Sequence, residues 1–257
     1  MATFLSSFVV GNTRDKFYNV TINNEYIKMF WVGLMDGEGS IQVNHSRMKS
    51  LQYRLIIKLS NNEYNYNMLI LISKNIGGTV RIVKSKKEVI WVVDNKETII
   101  SIIDIFNDYT PLTSRLICQL KFLRICLENN SVKYYKKKRN LKFSEQEKII
   151  NNFSISYITR SYFPIWLSGF LEAEGCFSIR ENNNSSFSIN HKYDFYLLSG
   201  IKSFFDLKVT IRNTKKNFYL IESYSSISLH RIIKHCTTYP LLGAKSISLN
   251  KLIKLIH

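Results

Sequence analysis

Acidic residues are what this chain is short of. Only 19 Asp and Glu stand against 36 Lys and Arg in 257 residues, a formal net charge of +17 at pH 7. Such an excess attracts polyanions, with nucleic acid the leading candidate, and no lysine-rich amphipathic helix marks a membrane-surface protein instead. Cysteine is scarce as well: Cys118, Cys126, Cys176 and Cys236 lie far apart with no CxxC spacing, which speaks against a zinc site or a disulfide framework. No apolar run is long enough to span a bilayer, and the run at 4–10 lacks a cleavage site. A soluble, intracellular protein with no membrane partner is therefore expected. Glycine (10) and proline (3) are sparse beside 15 Tyr and 16 Phe, and Ile, Asn and Lys are abundant. These favoured residues use A/T-rich codons, which suggests organelle coding. At 45% apolar residues the chain can bury a sizeable core, which excludes global disorder.

What is present is a segment that occurs twice. Residues 31–39 read Trp-Val-Gly-Leu-Met-Asp-Gly-Glu-Gly, and residues 167–175 read Leu-Ser-Gly-Phe-Leu-Glu-Ala-Glu-Gly. Each copy places small residues one helical turn apart, Gly33 and Gly37 in the first, Gly169 and Ala173 in the second. Residues four apart share a helix face, and small ones there let two backbones approach closely. If the copies pack on each other, Glu38 and Glu174 meet at one end of the helix pair. Two carboxylates side by side invite a divalent metal. The C-terminal end of a helix also carries the negative pole of its dipole, so an acid placed there twice without a cation would cost stability for no gain.

The duplication predicts two units. Residues 1–23 form an N-terminal arm, 24–128 the first repeat, 129–161 a basic linker containing Lys133-Tyr-Tyr-Lys-Lys-Lys-Arg139, and 162–257 the second repeat. Asn23 or Asn24 can cap the first motif helix. Period-2 alternation over 40–46 and 51–59 marks strands with one buried and one exposed face. A helix at 62–75, strands at 79–85 and 88–94, a helix near 97–107 and a helix after the Tyr109-Thr-Pro-Leu112 turn complete the first unit. The second repeats the order with strands near 177–180, 186–190, 208–214 and 217–223, helices over 194–205 and 226–236, and a closing helix after Tyr239-Pro-Leu-Leu242. Within the linker, a solvated helix around 145–150 is as reasonable as an extended crossing.

The paired motif, 136 residues apart (174 − 38), and the αββαββα order in each half resemble the LAGLIDADG homing endonucleases in single-chain, two-repeat form. The resemblance covers nearly everything from Asn24 onward. It implies an α/β (α+β) fold in which two antiparallel DNA-binding sheets form a saddle and the motif helices pack at a pseudo-twofold axis. Glu38 and Glu174 occupy the places of the metal-binding catalytic carboxylates, with Gly37 and Ala173 beside them in the metal site. Asp36 and Glu172 match positions with a mainly structural role. A basic residue follows the Tyr-Pro-Leu turn in the family, and Lys245 matches it six beyond Tyr239, as Arg115 does six beyond Tyr109. Arginine there departs from the usual lysine. A further polar position, at the end of the second strand, falls on Asn61 and His191.

DNA recognition would come from the exposed sheet faces, since a two-stranded ribbon fits the major groove. The first offers Gln42, Asn44, Ser46, Gln52, Arg54, Lys58, Arg81 and Ser85. The second offers Ser178, Arg180, Asn182, Ser186, Ser188, Lys208, Thr210 and Arg212. These sets contain no acid, unlike an ordinary wet sheet face. A strand of about seven residues at ~3.3 Å each spans roughly seven base pairs. Because the halves differ at nearly every reading position, the target is expected to be long and non-palindromic. The resemblance thus implies a monomeric, Mg2+-dependent, site-specific double-strand DNA endonuclease. Mn2+ would substitute, Ca2+ would support binding without cleavage, and no obligate protein partner is needed. It also implies an intron-encoded, mitochondrial origin. The alternative is an intron maturase that binds its host intron RNA on the same scaffold.

Overall fold

In the computed structural model, which describes residues 21–83, 85–179 and 184–256, the duplicated motif opens two copies of one architecture. The first runs α1 (Asn24–Gly37), β1 (Gly39–Ser46), β2 (Ser50–Ser60), α2 (Glu63–Ile76), β3 (Thr79–Ile82), β4 (Glu88–Val93), α3 (Lys96–Asp108) and α4 (Ser114–Asn129). Two short helices, α5 (Val132–Lys138) and α6 (Gln146–Asn152), lie between the copies together with 3-10 turns at Arg139–Leu141 and Ile155–Thr159. The second copy runs α7 (Phe163–Glu174), β5 (Gly175–Ile179), β6 (Ser185–Lys192), α8 (Phe195–Phe204), β7 (Arg212–Lys215), β8 (Phe218–Ser223), α9 (Ser226–Thr238) and α10 (Lys245–Ile256). Both sheets are antiparallel, ordered β1-β2-β4-β3 and β5-β6-β8-β7. The mixed α+β class with two antiparallel sheets is as the sequence leads one to expect.

Local chemistry explains the element ends. The Asn23 side chain accepts from the Tyr26 amide at 2.9 Å and starts α1, while Pro164 sits in the first turn of α7, where its missing N–H costs nothing. On β2, Tyr53, Leu55 and Ile57 are buried while Gln52, Arg54 and Lys58 are exposed, as strand alternation requires. With glycine scarce, the β1–β2 turn takes left-handed backbone at Arg47 (φ 44°) and Met48 (φ 64°), a conformation that disfavours ordinary side chains.

Beyond the polar first turns of α1, the motif helices are largely buried and lie at the centre, as helices apolar on most faces must. Phe30, Trp31 and Leu34 of α1 and Trp166, Leu167 and Phe170 of α7 are all fully buried. Their contact is reciprocal. A Cβ added to Gly33 would sit 1.9 Å from the Trp166 carbonyl oxygen, and one added to Gly169 would sit 1.9 Å from that of Phe30. The glycines are thus required by backbone-on-backbone packing.

Two expected strand extents need correction, and the linker takes a definite form. Strand β7 begins only at Arg212, so Lys208 and Thr210 lie on the irregular connection after α8. Strand β3 ends at Ile82 rather than at 85. The 129–161 segment is largely helical, because Tyr135, Phe153 and Tyr157 anchor it in the core. Most of the expected N-terminal arm, residues 1–20, lies outside the described residues, as do Arg180 and Asn182.

Candidate active site and nucleic-acid interface

The site is built at the C-terminal ends of α1 and α7. Glu38 is the residue that closes α1, its amide donating to the Leu34 carbonyl at 2.9 Å, and Glu174 is the last residue of α7. The seam holds them together: a Cβ on Gly37 would meet the Ala173 methyl at 2.2 Å and Glu174 Cγ at 3.3 Å. Burial and the like charge of Glu174 raise the Glu38 carboxyl above its usual range, against the pull of Lys245 and Arg115. Burial likewise raises Glu174, opposed by His191, Arg115 and Lys245. Both carboxylates are thus strained by partial desolvation, Glu38 while still exposed and Glu174 at intermediate exposure.

The neighbouring acids have other work. Asp36, fully buried, accepts from the Leu112 and Thr113 amides at 2.9 Å each, from the Thr113 hydroxyl, and from Trp166 Nε1 at 2.8 Å. Glu172 accepts from the Gly243 and Lys245 amides, both at 3.0 Å. Each satisfies donors at the start of the helix after the proline turn, α4 or α10, and so fastens that helix to a motif helix. Burial pushes Glu172 up to about 7 despite these bonds, and it raises Asp36 too.

The fastening fixes the two basic residues. The Lys245 amide is bound by Glu172, and the Lys245 ammonium acts on both Glu38 and Glu174. Arg115 serves differently from the basin lysine that its spacing suggests. Its guanidinium donates to the carbonyls of Gly39 (2.6 Å), Asp36 (2.7 Å), Met35 (3.1 Å) and Gly37 (3.2 Å). It therefore caps the C-terminus of α1, where a cation offsets the helix dipole, and it occupies the carbonyl of Gly37.

His191 is buried beside this centre. Its Nε2 lies 3.0 Å from Asp194 Oδ2, and its ring packs edge-on to Phe170. Asn61 is not its counterpart. Ile57 pairs with Gly39, and Ile189 pairs with Gly175, so Leu59 stands where His191 stands in the second repeat. The Asn61 amide instead donates to the Lys86 carbonyl at 2.8 Å and ties β2 to the β3–β4 turn.

Among the described residues no group of three or more His, Cys, Asp or Glu side chains could hold a metal. The carboxylates that could share an ion are the two that meet at the seam, Glu38 and Glu174. An all-oxygen set this small suits a hard cation that keeps waters and takes further ligands from a phosphate substrate. The raised carboxylates are what a divalent charge would relieve.

Register defines the exposed sheet faces. Gln42 faces Arg54 and Asn44 faces Gln52 across β1–β2, with Lys58 and Arg81 both opposite Ile90 of β4. Ser46 shares this face. In the second sheet Ser178 pairs with Ser186, and Cys176 with Ser188. Ser186, however, is only 4% exposed, so it is part of the packing rather than of a reading surface. Lys208, off the strand, pairs with Asp206.

The faces are also not free of acid. Glu88 lies 2.8 Å from Lys58, and Glu222, opposite Ser188, pairs with Arg212. Sequence reasoning missed both because β4 and β8 read as apolar runs, and only the sheet order brings them beside the basic residues. It missed Asp194 as well; the hint was an acid three residues after His191 at a helix start.

Comparisons with known proteins share this outline. The sequence model of the LAGLIDADG endonuclease family matches residues 31–126 and 167–256. A probable intron-encoded endonuclease aI3 from Debaryomyces hansenii is 48% identical, over 92% of this chain and 40% of its own length. One of the same name from Dictyostelium citrinum is 46% identical, over 90% of this chain and 95% of its own. The chain thus spans two fifths of the first relative and nearly all of the second. Among solved structures, the I-LtrWI LAGLIDADG homing endonuclease bound to target DNA matches with a TM-score of 0.67 at 21% identity, covering 91% of this chain and 90% of that one.

Proposed function

The chain belongs to the LAGLIDADG endonuclease family, and on that footing we propose that it is an intron-homing, site-specific DNA endonuclease that cuts both strands of a long, asymmetric duplex with divalent metal. The observation that carries this reading is the meeting of Glu38 and Glu174 at one end of a glycine-seamed helix pair, with a polar sheet face on either side. The unlike side chains of the two faces support an asymmetric target, read by Gln42, Asn44, Gln52, Arg54, Lys58 and Arg81 on one side and by Ser178, Ser188 and Arg212 on the other. Arg can discriminate guanine, and Gln or Asn adenine, by bidentate hydrogen bonds.

Glu38 and Glu174 each serve one strand and would hold Mg2+, with Mn2+ able to replace it and Ca2+ supporting binding alone. The bound ion would supply Lewis-acid polarisation of the scissile phosphate and a more acidic bound water. Lys245 places a positive charge beside both carboxylates, where charge develops on the phosphate. Arg115 holds the end of α1 rigid so that Glu38 stays in register with Glu174. The relatives' names and the A/T-rich composition support organelle coding, which we take to be mitochondrial. The presence of both carboxylates favours cleavage over the alternative of binding intron RNA without cutting.

Selection of cleaved sites from a randomised duplex library tests the reading. With Mg2+ one long, non-palindromic sequence class should be recovered, and with Ca2+ that duplex should be retained uncut. Recovery of no cleaved duplex, together with tight magnesium-independent binding to structured intron RNA, would replace the nuclease reading with the maturase one.

A further inference from the structure

The two repeats differ most, within the centre they share, at His191 and Asp194. Register aligns Leu59 with His191 and Asn62 with Asp194, two and five residues beyond the paired Ile57 and Ile189. Both Asn62 and Asp194 sit at the N-cap of the helix after the second strand. Asn62 behaves as a cap, accepting from the Asn65 amide at 3.0 Å. Asp194 makes no side-chain cap bond to its own helix, although aspartate is among the best residues for that purpose. Its carboxylate turns away. Oδ2 accepts from His191 at 3.0 Å and from the Ser114 amide of the first repeat at 3.1 Å. Oδ1 is buried with no partner. A fully buried carboxylate that leaves its own helix uncapped and one oxygen unpaired needs a reason other than stability.

We propose that Asp194 is a positioning residue that holds His191 for the Glu174 half of the reaction, and that the two strands are consequently cut by unequal centres. A carboxylate only accepts, so Nε2 of His191 carries the proton and Nδ1 keeps its lone pair. Holding the second ring nitrogen in this way fixes tautomer and orientation. Pairing of Ile189 with Gly175 and the edge-on packing on Phe170 bring the ring to the end of α7 that carries Glu174, and there Nδ1 orients the water that attacks the phosphate. Glu38 has no such neighbour, because Leu59 is apolar. Ser114 completes the device: its amide ties Asp194 to the first residue of α4, one position before Arg115, so the pair is registered against both motif helices. This inference rests on the nuclease reading and adds an order of strand cutting to it.

The test uses the full chain and a supercoiled plasmid carrying a duplex from the library selection, with each strand's cut followed separately. In the wild type the strand served by Glu174 should be nicked first and nicked circle should accumulate. His191→Leu, which installs the first repeat's residue, should slow that strand by about 10–100-fold and leave the other within threefold. Asp194→Asn keeps an oxygen for Ser114 and His191 and removes the charge, so it should shift the same strand in the same direction. Its melting curve separates misfolding from mispositioning. Equal slowing of both strands, or an unchanged strand ratio in both variants, overturns the inference while leaving the nuclease reading intact. A wild-type chain that cuts no selected duplex overturns the nuclease reading itself.

Discussion

Exchanging the small residues across the helix seam tests the central packing more sharply than removing them. Gly37→Ala places a methyl 2.2 Å from the Ala173 methyl. Methyl carbons pack at about 3.5–4.0 Å, so the ends of α1 and α7 must part by roughly 1.5 Å. Overpacking of this kind costs about 1–3 kcal/mol, a fall of several degrees in melting temperature for a chain of this size. The opening lies one residue from both carboxylates, and a misplacement of about 1 Å can cost 10²-fold in rate. Cleavage should therefore fall by about two orders of magnitude while the chain still folds. Adding Ala173→Gly removes the obstructing methyl. The double variant only moves a glycine from one helix to the other, so the propensity terms of about 1 kcal/mol nearly cancel. Stability should return to within about 0.5 kcal/mol, the limit of ordinary additivity, and the remaining Cβ contact, 3.3 Å to Glu174 Cγ, needs a shift of only a few tenths of an ångström. Gly33→Ala is the control, because its methyl would meet the Trp166 carbonyl oxygen and the Phe170 amide. Those are backbone atoms that no side-chain exchange can remove. Urea denaturation and single-turnover cleavage of the selected duplex, run on the wild type, Gly37→Ala, the double variant and Gly33→Ala, make the comparison. A stable, active Gly37→Ala, or a double variant no better than the single, would refute the seam.

Other outcomes depend on the charges. Glu38→Gln or Glu174→Gln should cut double-strand cleavage by orders of magnitude, with duplex affinity in Ca2+ held within about tenfold, or ~1.4 kcal/mol. Relief of like charge should leave thermal stability unchanged or higher, so a collapse of the fold would count against these as functional rather than structural acids. Glu172 titrates at about 7 in the folded chain, above the ordinary glutamate value of 4.5. Folding therefore takes up a proton between these values, and the stabilisation present below pH 4.5 is lost as pH rises through about 7, by as much as ~3 kcal/mol. Glu172→Gln should flatten the stability profile between about pH 5 and 7.5, leaving the same-signed slope from Asp36, Glu38 and Glu174, and an unaltered profile by chemical denaturation would contradict the burial argument. Tyr135 brings α5 against Asn44 of the candidate reading face, Oη to Oδ1 at 3.4 Å, so Lys133, Lys136 and Lys137 would flank a duplex bound there. Replacing all three with Ala should reduce the slope of log affinity against log salt by about 2.7 and weaken all sequences alike; a changed base preference would show that α5 reads sequence.

Much of this arrangement is legible in the sequence because it depends on local period. The duplicated motif reveals both central helices, the glycine seam and the meeting of Glu38 with Glu174, and the alternation at 51–59 identifies the correct buried face. The misreadings share a different cause. Counting to the expected ends of strands aligns Asn61 with His191, yet alternation does not locate an end to within two residues, and only pairing with Gly39 and Gly175 shows that Leu59 is the counterpart. The role of Arg115 is hidden because its four carbonyl partners lie 76–80 residues earlier in the chain. Glu88 and Glu222 are hidden because an apolar strand reveals its polar edge only once its neighbours are known.

The same long-range bonds explain how a near-symmetric scaffold supports unlike halves. Asp36 and Glu172 make equivalent connections, each reaching from a motif helix to the amides that begin α4 or α10. Burying a carboxylate is costly unless its bonds are satisfied, and here several donors converge on each, so α4 and α10 are set against the motif helices with little freedom. The side chains that α4 and α10 then carry are free to differ. Arg115 on α4 spends its guanidinium on the α1 carbonyls, whereas Lys245 on α10 leaves its charge acting on both catalytic-candidate carboxylates. The first repeat thus supplies a rigid end to α1, and the second supplies the uncommitted positive charge and the His191–Asp194 pair. Chemical asymmetry is concentrated in side chains set against symmetric anchors, which is why changing an anchor, or Lys245 with its reach to both carboxylates, should disturb both strands and changing His191 only one.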